Sequence, residues 1–128
     1  MSKVPSDLRY AKTHEWVRLE ADEVCTVGIT DHAQDALGDI VFVELPDVGE
    51  ELYAKTEACV LESVKAASDI ITPISGTIIQ VNNKLIKNPA LVNTDPYGDG
   101  WLLRIKAANL KEMDDLDDAE TYQSELVE

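Results

Sequence analysis

The stretch Glu62-Ser63-Val64-Lys65-Ala66-Ala67-Ser68-Asp69 places one lysine between two runs of strand-forming residues. Residues 58–61 before it are apolar, and residues 70–76 after it are β-branched and close with proline and glycine. A polar break between two such runs predicts a β-hairpin whose turn displays Lys65. Small neighbours leave the lysine amine unobstructed, and a carboxylate flanks it on each side.

Two interpretations of Lys65 follow from this position. An arbitrary lysine on a turn is usually a solvated surface residue. Alternatively, Lys65 is an attachment lysine, an exposed amine that another enzyme acylates and thereby discharges. The hairpin residues alone leave both interpretations open.

Composition and charge limit the possible functions. A chain of 128 residues with 45% hydrophobic and 5% aromatic residues predicts a single domain, residues 1–128, with an aliphatic core. The formal net charge of −14 argues against nucleic acid or an anionic membrane as partner and favours basic protein surfaces. No apolar run approaches the length of a membrane span.

The N-terminal residues and the cysteines bear on the compartment. Residues 1–7 lack the apolar core of a secretory signal and the arginine-rich pattern of an organellar presequence. We therefore expect a cytoplasmic protein, or one of the mitochondrial matrix if a presequence has been removed. Cys25 and Cys59 lie in apolar surroundings, which favours buried reduced thiols over a disulfide.

Short runs with strand character recur along the chain and predict a mostly β sandwich or barrel. Besides the hairpin, strands are predicted at residues 14–19, 24–29, 39–45, 77–81 and 101–106. Gly28 indicates a bulge or a close backbone approach within its strand. Trp16 and Trp101 are predicted to be core anchors.

Helical patterns are fewer. Residues 31–37 predict a short internal helix, capped by Thr30 or Asp31 and stopped by Gly38. Pro89 interrupts residues 85–92, which leaves room only for short extended pieces. Apolar residues at near-helical spacing among acidic ones predict one or two surface helices in the acidic C-terminal segment, about 109–128.

Catalytic and metal-binding patterns are missing from the sequence. His14 and His32 have no second ligand at zinc-binding spacing, so each is interpreted as a surface or capping residue. Ser63 and Lys65 miss the S-x-x-K spacing by one position. The glycines near residue 98 do not end in the G-K-[ST] of a phosphate-binding loop.

Several motifs in a fixed order resemble one family along nearly the whole chain. They are HEWV at 14–17, VGIT at 27–30, HAQ at 32–34, LGDIVFVELP at 37–46, ESVKAASD at 62–69, PISG at 73–76 and PYGDGWL at 96–102. Each motif alone is modest. Their order and spacing together resemble the H proteins of the glycine cleavage system.

This resemblance implies a barrel-sandwich hybrid of the lipoyl and biotinyl type, with a short internal helix and C-terminal helices. It implies that Lys65 carries lipoic acid in amide linkage, and that the protein is a carrier and not itself an enzyme. The implied partners are the glycine decarboxylase (P protein), the aminomethyltransferase (T protein), the dihydrolipoyl dehydrogenase (L protein) and lipoylating enzymes. A monomer is expected.

The resemblance also implies roles for individual residues around the lysine. Lipoylating enzymes are expected to recognise the attachment turn through Glu62, Ser63, Val64 and Asp69. Glu15 and Asp69, with Thr13 close by, are expected to line a cleft that holds the aminomethyl-loaded arm, whose cationic amine a carboxylate can bind. Donation of lipoyl groups to other enzymes stays open.

The two rival functions are a biotinyl carrier and a small Schiff-base enzyme. Biotinyl domains characteristically have methionine on both sides of the lysine, whereas this chain has Val64 and Ala66, which disfavours a biotinyl carrier. A small Schiff-base enzyme would use Lys65 as its nucleophile, and the amine would need desolvation to lower its pKa. The open, acidic surroundings of Lys65 disfavour that enzyme, because carboxylates stabilise the ammonium form.

Overall fold

Two antiparallel sheets form the body of the protein. The computed structural model describes residues 3–126. Its strands are β1 (Arg9–Tyr10), β2 (Glu15–Leu19), β3 (Val24–Ile29), β4 (Ile40–Glu44), β5 (Glu51–Leu52), β6 (Glu57–Ser63), β7 (Ala67–Ile71), β8 (Gly76–Val81) and β9 (Leu103–Ala107). A six-stranded sheet has the order β1-β2-β3-β9-β8-β5, and a three-stranded sheet has the order β4-β6-β7. The mostly β prediction is confirmed.

The predicted hairpin is the β6–β7 pair, which lies within the three-stranded sheet. Val60 pairs with Asp69 and Leu61 with Ser68, so residues 64–66 form the tip. Leu61 and Ile70 are buried, whereas Asp69 is exposed on the opposite face. This alternation fixes the register, because a slip by one residue would expose the apolar face of the hairpin.

The main core fills the space between the two sheets. It is almost entirely aliphatic, as the composition predicts, and its fully buried members include Val17, Leu61, Ile74, Ile78, Leu102, Leu103 and Ile105. Cys25 and Cys59 are buried in this core as free thiols, which confirms the prediction for both.

The first three residues of β2 are buried, and they separate the main core from a second, aromatic cluster. Val17 belongs to the main core, whereas its neighbour Trp16 packs with Leu8, Tyr10 and Tyr122 on the other face. Trp16 is therefore the predicted core anchor. Trp101 is only partly buried at the margin of this aromatic cluster.

The internal helix α1 (Asp31–Leu37) has the predicted bounds, and the structure decides which residue caps it. The side chain of Thr30 accepts a hydrogen bond from the Ala33 N–H at 3.2 Å, so Thr30 is the cap. The side-chain amide of Gln34 donates a hydrogen bond to the Asp31 carboxylate. Gly38 ends the helix with a positive φ of 84°, a conformation that favours glycine.

The prediction of extended pieces at residues 85–92 is wrong. Two short helices, α2 (Lys84–Lys87) and α3 (Leu91–Thr94), occupy this region. Pro89 lies between them, directly before the cap residue Ala90 of α3, and its carbonyl accepts a hydrogen bond from the Val92 N–H at 3.1 Å. A proline at the start of a helix loses nothing by lacking an N–H, because that group has no helical partner there.

The C-terminal segment contains the predicted helices. A 3₁₀ helix at Leu110–Asp115 is followed by α4 (Ala119–Glu125), and residues 127–128 of the predicted segment lie outside the described residues. Tyr10 and Asp117 exchange backbone hydrogen bonds at 2.8 Å, which ties the segment to β1. The buried Tyr122 anchors α4 in the aromatic cluster.

Among residues 3–126, no helix is both long and apolar enough to cross a bilayer.

The pairing of β2 with β3 and the position of Trp16 show that neither prediction for Gly28 is right. Trp16 lies opposite Gly28 in an uninterrupted register, so Gly28 forms no bulge. A Cβ atom at Gly28 would lie 2.6 Å from the Trp16 indole. The indole cannot move easily, because it is fully buried and its N–H donates to the Pro96 carbonyl at 3.0 Å. The close approach is therefore made by a side chain, and the predicted backbone approach is wrong.

We expect Gly28→Ala to destabilise the fold by about 2 kcal/mol, since the added methyl overpacks a closed site. Urea unfolding measures this change. The Trp16→Phe background removes the indole atoms involved, so the same substitution should cost less there. Equal costs in both backgrounds would contradict the proposed clash.

Candidate modification site and adjacent cleft

Lys65 lies at the exposed tip of the β6–β7 hairpin, where Ser63 shapes the turn. The hydroxyl oxygen of Ser63 accepts hydrogen bonds from the Lys65 N–H at 3.1 Å and the Ala66 N–H at 3.2 Å. The backbone N–H of Ser63 donates to the Ala66 carbonyl at 2.9 Å. Short-range bonds of this kind stabilise a tight reversal, so the backbone beneath the lysine has one defined conformation.

A second tie joins the hairpin tip to the start of β4. The Val64 N–H donates to the Asp39 carbonyl at 3.0 Å, while the Val64 side chain is 66% exposed. Glu62 is also exposed, next to the tip. Lys65 is thus displayed from an anchored turn that offers an apolar and an acidic neighbour.

The side chain of Lys65 lies over Gly38. A Cβ atom at Gly38 would be 3.3 Å from Lys65 Cε and 3.8 Å from Lys65 Nζ. Any other residue would therefore crowd the path of the lysine side chain. The positive φ of Gly38 also favours glycine. One residue therefore both ends helix α1 and leaves room for the Lys65 side chain.

Asn93 holds this region in place, and no sequence pattern singles it out. Its side-chain oxygen accepts from the Ile40 N–H at 2.8 Å. Its amide group donates to the Gly38 carbonyl at 2.9 Å and to Gln34 Oε1 at 3.0 Å. These partners lie 53 to 59 residues away in sequence, so the role of Asn93 depends on tertiary contacts.

A cleft of about 240 Å³ lies between β7, α1 and the start of β2. Its lining includes Thr13, Glu15 and Asp69, the three residues for which the sequence implied a cleft. The structure thus brings these three together. Glu62, Ser63, Val64 and Lys65 are not among the lining residues and remain at the hairpin tip.

Glu15 is the unusual group of the cleft, because it is a carboxyl only 3% exposed. Burial disfavours the ionised form and raises the pKa of Glu15 to about 7. Hydrogen bonds from the Thr13 hydroxyl and the Ile71 N–H oppose this rise without cancelling it. Asp69 lies on the same cleft but is exposed.

His14 also lines the cleft, although the sequence suggested only a surface or capping role. The residue is half-buried, and its backbone has a positive φ of 75°. Its Nδ1 lies 2.7 Å from the hydroxyl oxygen of Tyr122. Burial lowers the pKa of His14, and the nearby His32 lowers it further.

These features define the class of protein. The two antiparallel sheets, with a lysine displayed on a hairpin tip, form a barrel-sandwich hybrid, as the family resemblance implied. The family model described as "Glycine cleavage H-protein" matches residues 8–128. The chain therefore belongs to the glycine cleavage H-protein family, and the resemblance read from its motifs is confirmed.

Curated relatives and a solved structure agree with this assignment. A glycine cleavage system H protein of Alteromonas mediterranea is 59% identical over 128 residues, covering 100% of this chain and 99% of the relative. A glycine cleavage system H protein of Halorhodospira halophila is 58% identical, and the match covers 99% of this chain and 97% of the relative. The crystal structure of a glycine cleavage system H protein from Mycobacterium marinum superposes with a TM-score of 0.87 at 41% identity. The superposition covers 96% of this chain and 100% of that structure.

The raised pKa of Glu15 makes stability depend on pH. The pKa of Glu15 is about 7 in the folded protein and 4.5 as its ordinary value, so the folded state keeps a proton that the unfolded chain has lost between these values. The stability linked to this proton is fully present below pH 4.5 and is lost as the pH rises through 7. Glutamine cannot ionise. Glu15→Gln should therefore be more stable than the wild type above pH 7, by roughly 3 kcal/mol, with the difference vanishing toward acid pH.

Urea unfolding at several pH values measures this difference. Glu62→Gln is the matched control, because Glu62 is an exposed carboxylate and should show no such growth with pH. A Glu15→Gln difference that stays constant from acid to alkaline pH would show that Glu15 ionises normally.

Proposed function

We propose that this protein is the lipoyl-bearing carrier of glycine cleavage, with lipoic acid attached to Lys65 and no catalytic activity of its own. The observation that carries the proposal is the position of Lys65, displayed on an anchored hairpin tip beside a cleft that contains Glu15. In this role the P protein loads the carrier with an aminomethyl group from glycine. The T protein accepts that group, and the L protein reoxidises the carrier.

The residues around Lys65 fit an acylated lysine. The side chain has an open path across Gly38, which any larger residue would narrow. The bound lipoyl group supplies a disulfide–dithiol couple that can accept a carbon unit and two electrons at one site. The chain itself supplies a fixed point of attachment and a place to shelter the loaded end.

We propose that lipoylating enzymes recognise the surface of the attachment turn, which is formed by Glu62, Ser63, Val64 and Asp69. Ser63 shapes the turn, and the exposed Val64 and Glu62 are available for direct contact. The exposed position of Lys65 also supports a substrate of acylation over a Schiff-base nucleophile, because a nucleophilic lysine needs burial to lose its proton near neutral pH.

The cleft suits a cationic guest. We propose that the aminomethyl amine lies between Glu15 and Asp69, which approach the cleft from β2 and β7. A cation there favours ionised Glu15, so the carboxyl releases its proton when the amine arrives. Thr13 donates a hydrogen bond to Glu15 and orients it. A charge-assisted contact inside a half-closed cleft is stronger than the same contact in water.

Charge also bears on the partner enzymes. A net charge of −14 favours encounter with enzymes that present basic surfaces, and added salt should slow that encounter. The cited relatives with high identity are bacterial H proteins, which supports a cytoplasmic location for this carrier.

Attachment at Lys65 is tested by intact-protein mass after co-expression with a lipoylating enzyme and lipoate. The wild type should gain one lipoyl group, and Lys65→Arg should gain none while keeping its melting temperature and losing glycine oxidation in a reconstituted system. Lys111→Arg, at another exposed lysine, should behave as the wild type. An unmodified wild type contradicts the proposal, and streptavidin binding or borohydride trapping would instead identify a biotinyl carrier or a Schiff-base enzyme.

The cleft is tested on loaded protein by the rate at which formaldehyde and ammonia are released. Removing a hydrogen-bonded charge pair should speed release by about tenfold or more in Glu15→Ala and Asp69→Asn. Glu51→Ala removes an exposed carboxylate outside both the cleft and the attachment turn and should leave the rate unchanged. Equal rates in all four proteins would place the loaded end elsewhere.

A further inference from the structure

The hydroxyl group of Tyr122 reaches from the C-terminal helix into the wall of the cleft. Tyr122 is 2% exposed, and its oxygen lies 2.7 Å from His14 Nδ1 and 2.9 Å from Thr30 Oγ1. His14 lines the cleft, and Thr30 caps α1, whose Ala33 and neighbouring residues form another wall. One phenol group therefore joins two walls of the cleft to α4.

The direction of these hydrogen bonds follows from the fully buried hydroxyl of Thr30. Its oxygen already accepts from the Ala33 N–H, so its proton is available to donate to the Tyr122 oxygen. The Tyr122 hydroxyl can then donate its own proton to His14 Nδ1, which lies 2.7 Å away. In that arrangement Nδ1 is the acceptor, and the neutral imidazole carries its proton on Nε2.

His14 has a backbone conformation that needs such support. A φ of 75° is unfavourable for a residue with a side chain and persists only where the surroundings impose it. The His14 N–H donates to the Ala11 carbonyl at 2.9 Å, and its carbonyl accepts from the Thr30 N–H at 3.0 Å. The bond to Tyr122 holds the ring. The backbone conformation of His14 in turn sets the directions in which the side chains of its neighbours Thr13 and Glu15 leave the chain.

The charge of His14 matters because of what surrounds it. The His32 ring on α1 lies 4.7 Å away, Glu15 follows on β2, and Asp69 faces the same cleft from β7. A protonated His14 would put a cation in the wall that the proposed function assigns to a cationic amine. It would also pair with the carboxylates that this amine needs.

We propose that Tyr122 is a positioning residue of the cleft, whose hydroxyl holds His14 as the neutral Nε2–H tautomer and fixes the Thr13–Glu15 pair. Helix α4 then completes the cleft without touching its guest. The identity of that guest rests on the proposed function, whereas the state of His14 does not.

Two phenylalanine substitutions separate the hydroxyl from the aromatic packing. Tyr122→Phe keeps the ring stack with Tyr10, whose centroid lies 4.6 Å away, and removes the hydroxyl that bonds to His14 and Thr30. Tyr10→Phe is the matched control, because Tyr10 is buried in the same stack and its hydroxyl donates to the Pro5 carbonyl at 2.5 Å. Thermal melts establish that both variants are folded.

The first readout uses unmodified protein and is independent of lipoylation. ¹⁵N chemical shifts of the imidazole should show an unprotonated Nδ1 in the wild type and in Tyr10→Phe. Tyr122→Phe should show a mixture of tautomers, and the ¹³C-detected titration of Glu15 should move from about 7 toward 4.5 as water enters the cleft. A wild-type His14 with its proton on Nδ1 would overturn the proposal even if Tyr122→Phe did not fold.

The second readout uses aminomethyl-loaded protein. Release of the loaded group should be about fivefold faster in Tyr122→Phe than in the wild type, the effect of one ordinary hydrogen bond, and unchanged in Tyr10→Phe. Unaltered His14 shifts and release in Tyr122→Phe, or equal changes in both variants, would overturn the role of the hydroxyl. Failure of the wild type to be loaded contradicts the proposed function, while the first readout still decides the state of His14.

Discussion

Packing of the β6–β7 hairpin against the main core is the constraint on which the site depends. Leu61 and Ile70 are buried on one face of the hairpin, and the alternation of side chains along a strand then directs Asp69 to the other face. The turn is held by Ser63 and by the bond from Val64 to Asp39. A flexible lysine side chain can therefore start from a rigid point.

A second constraint is the burial of a carboxyl group beside this hairpin. Glu15 lies at the start of β2, where the strand enters the protein between two cores, and it is removed from water although no cation pairs with it in the described residues. Such a group is costly in the ionised form, so an empty cleft favours its protonated state.

Local sequence patterns predicted the hairpin, α1 and most strands, because each depends on side-chain period and on turn or cap residues close in sequence. The family motifs predicted Glu15, Thr13 and Asp69 as one cleft. The same local reasoning failed at residues 85–92, since it treated Pro89 as a strand breaker and overlooked that a proline suits the start of α3. Asn93 and Tyr122 gave no local signal of their roles.

The sequence by itself determined that Lys65 stands on a turn between two strands and that the chain belongs to its family, because both are written in the order of neighbouring residues. Only the tertiary structure decided that Glu15 is buried, that Lys65 lies over Gly38, and that Tyr122 bonds to His14. These facts join residues as far apart as 108 positions. Burial and hydrogen-bond direction arise from packing between such distant segments, so no local pattern of residues encodes them.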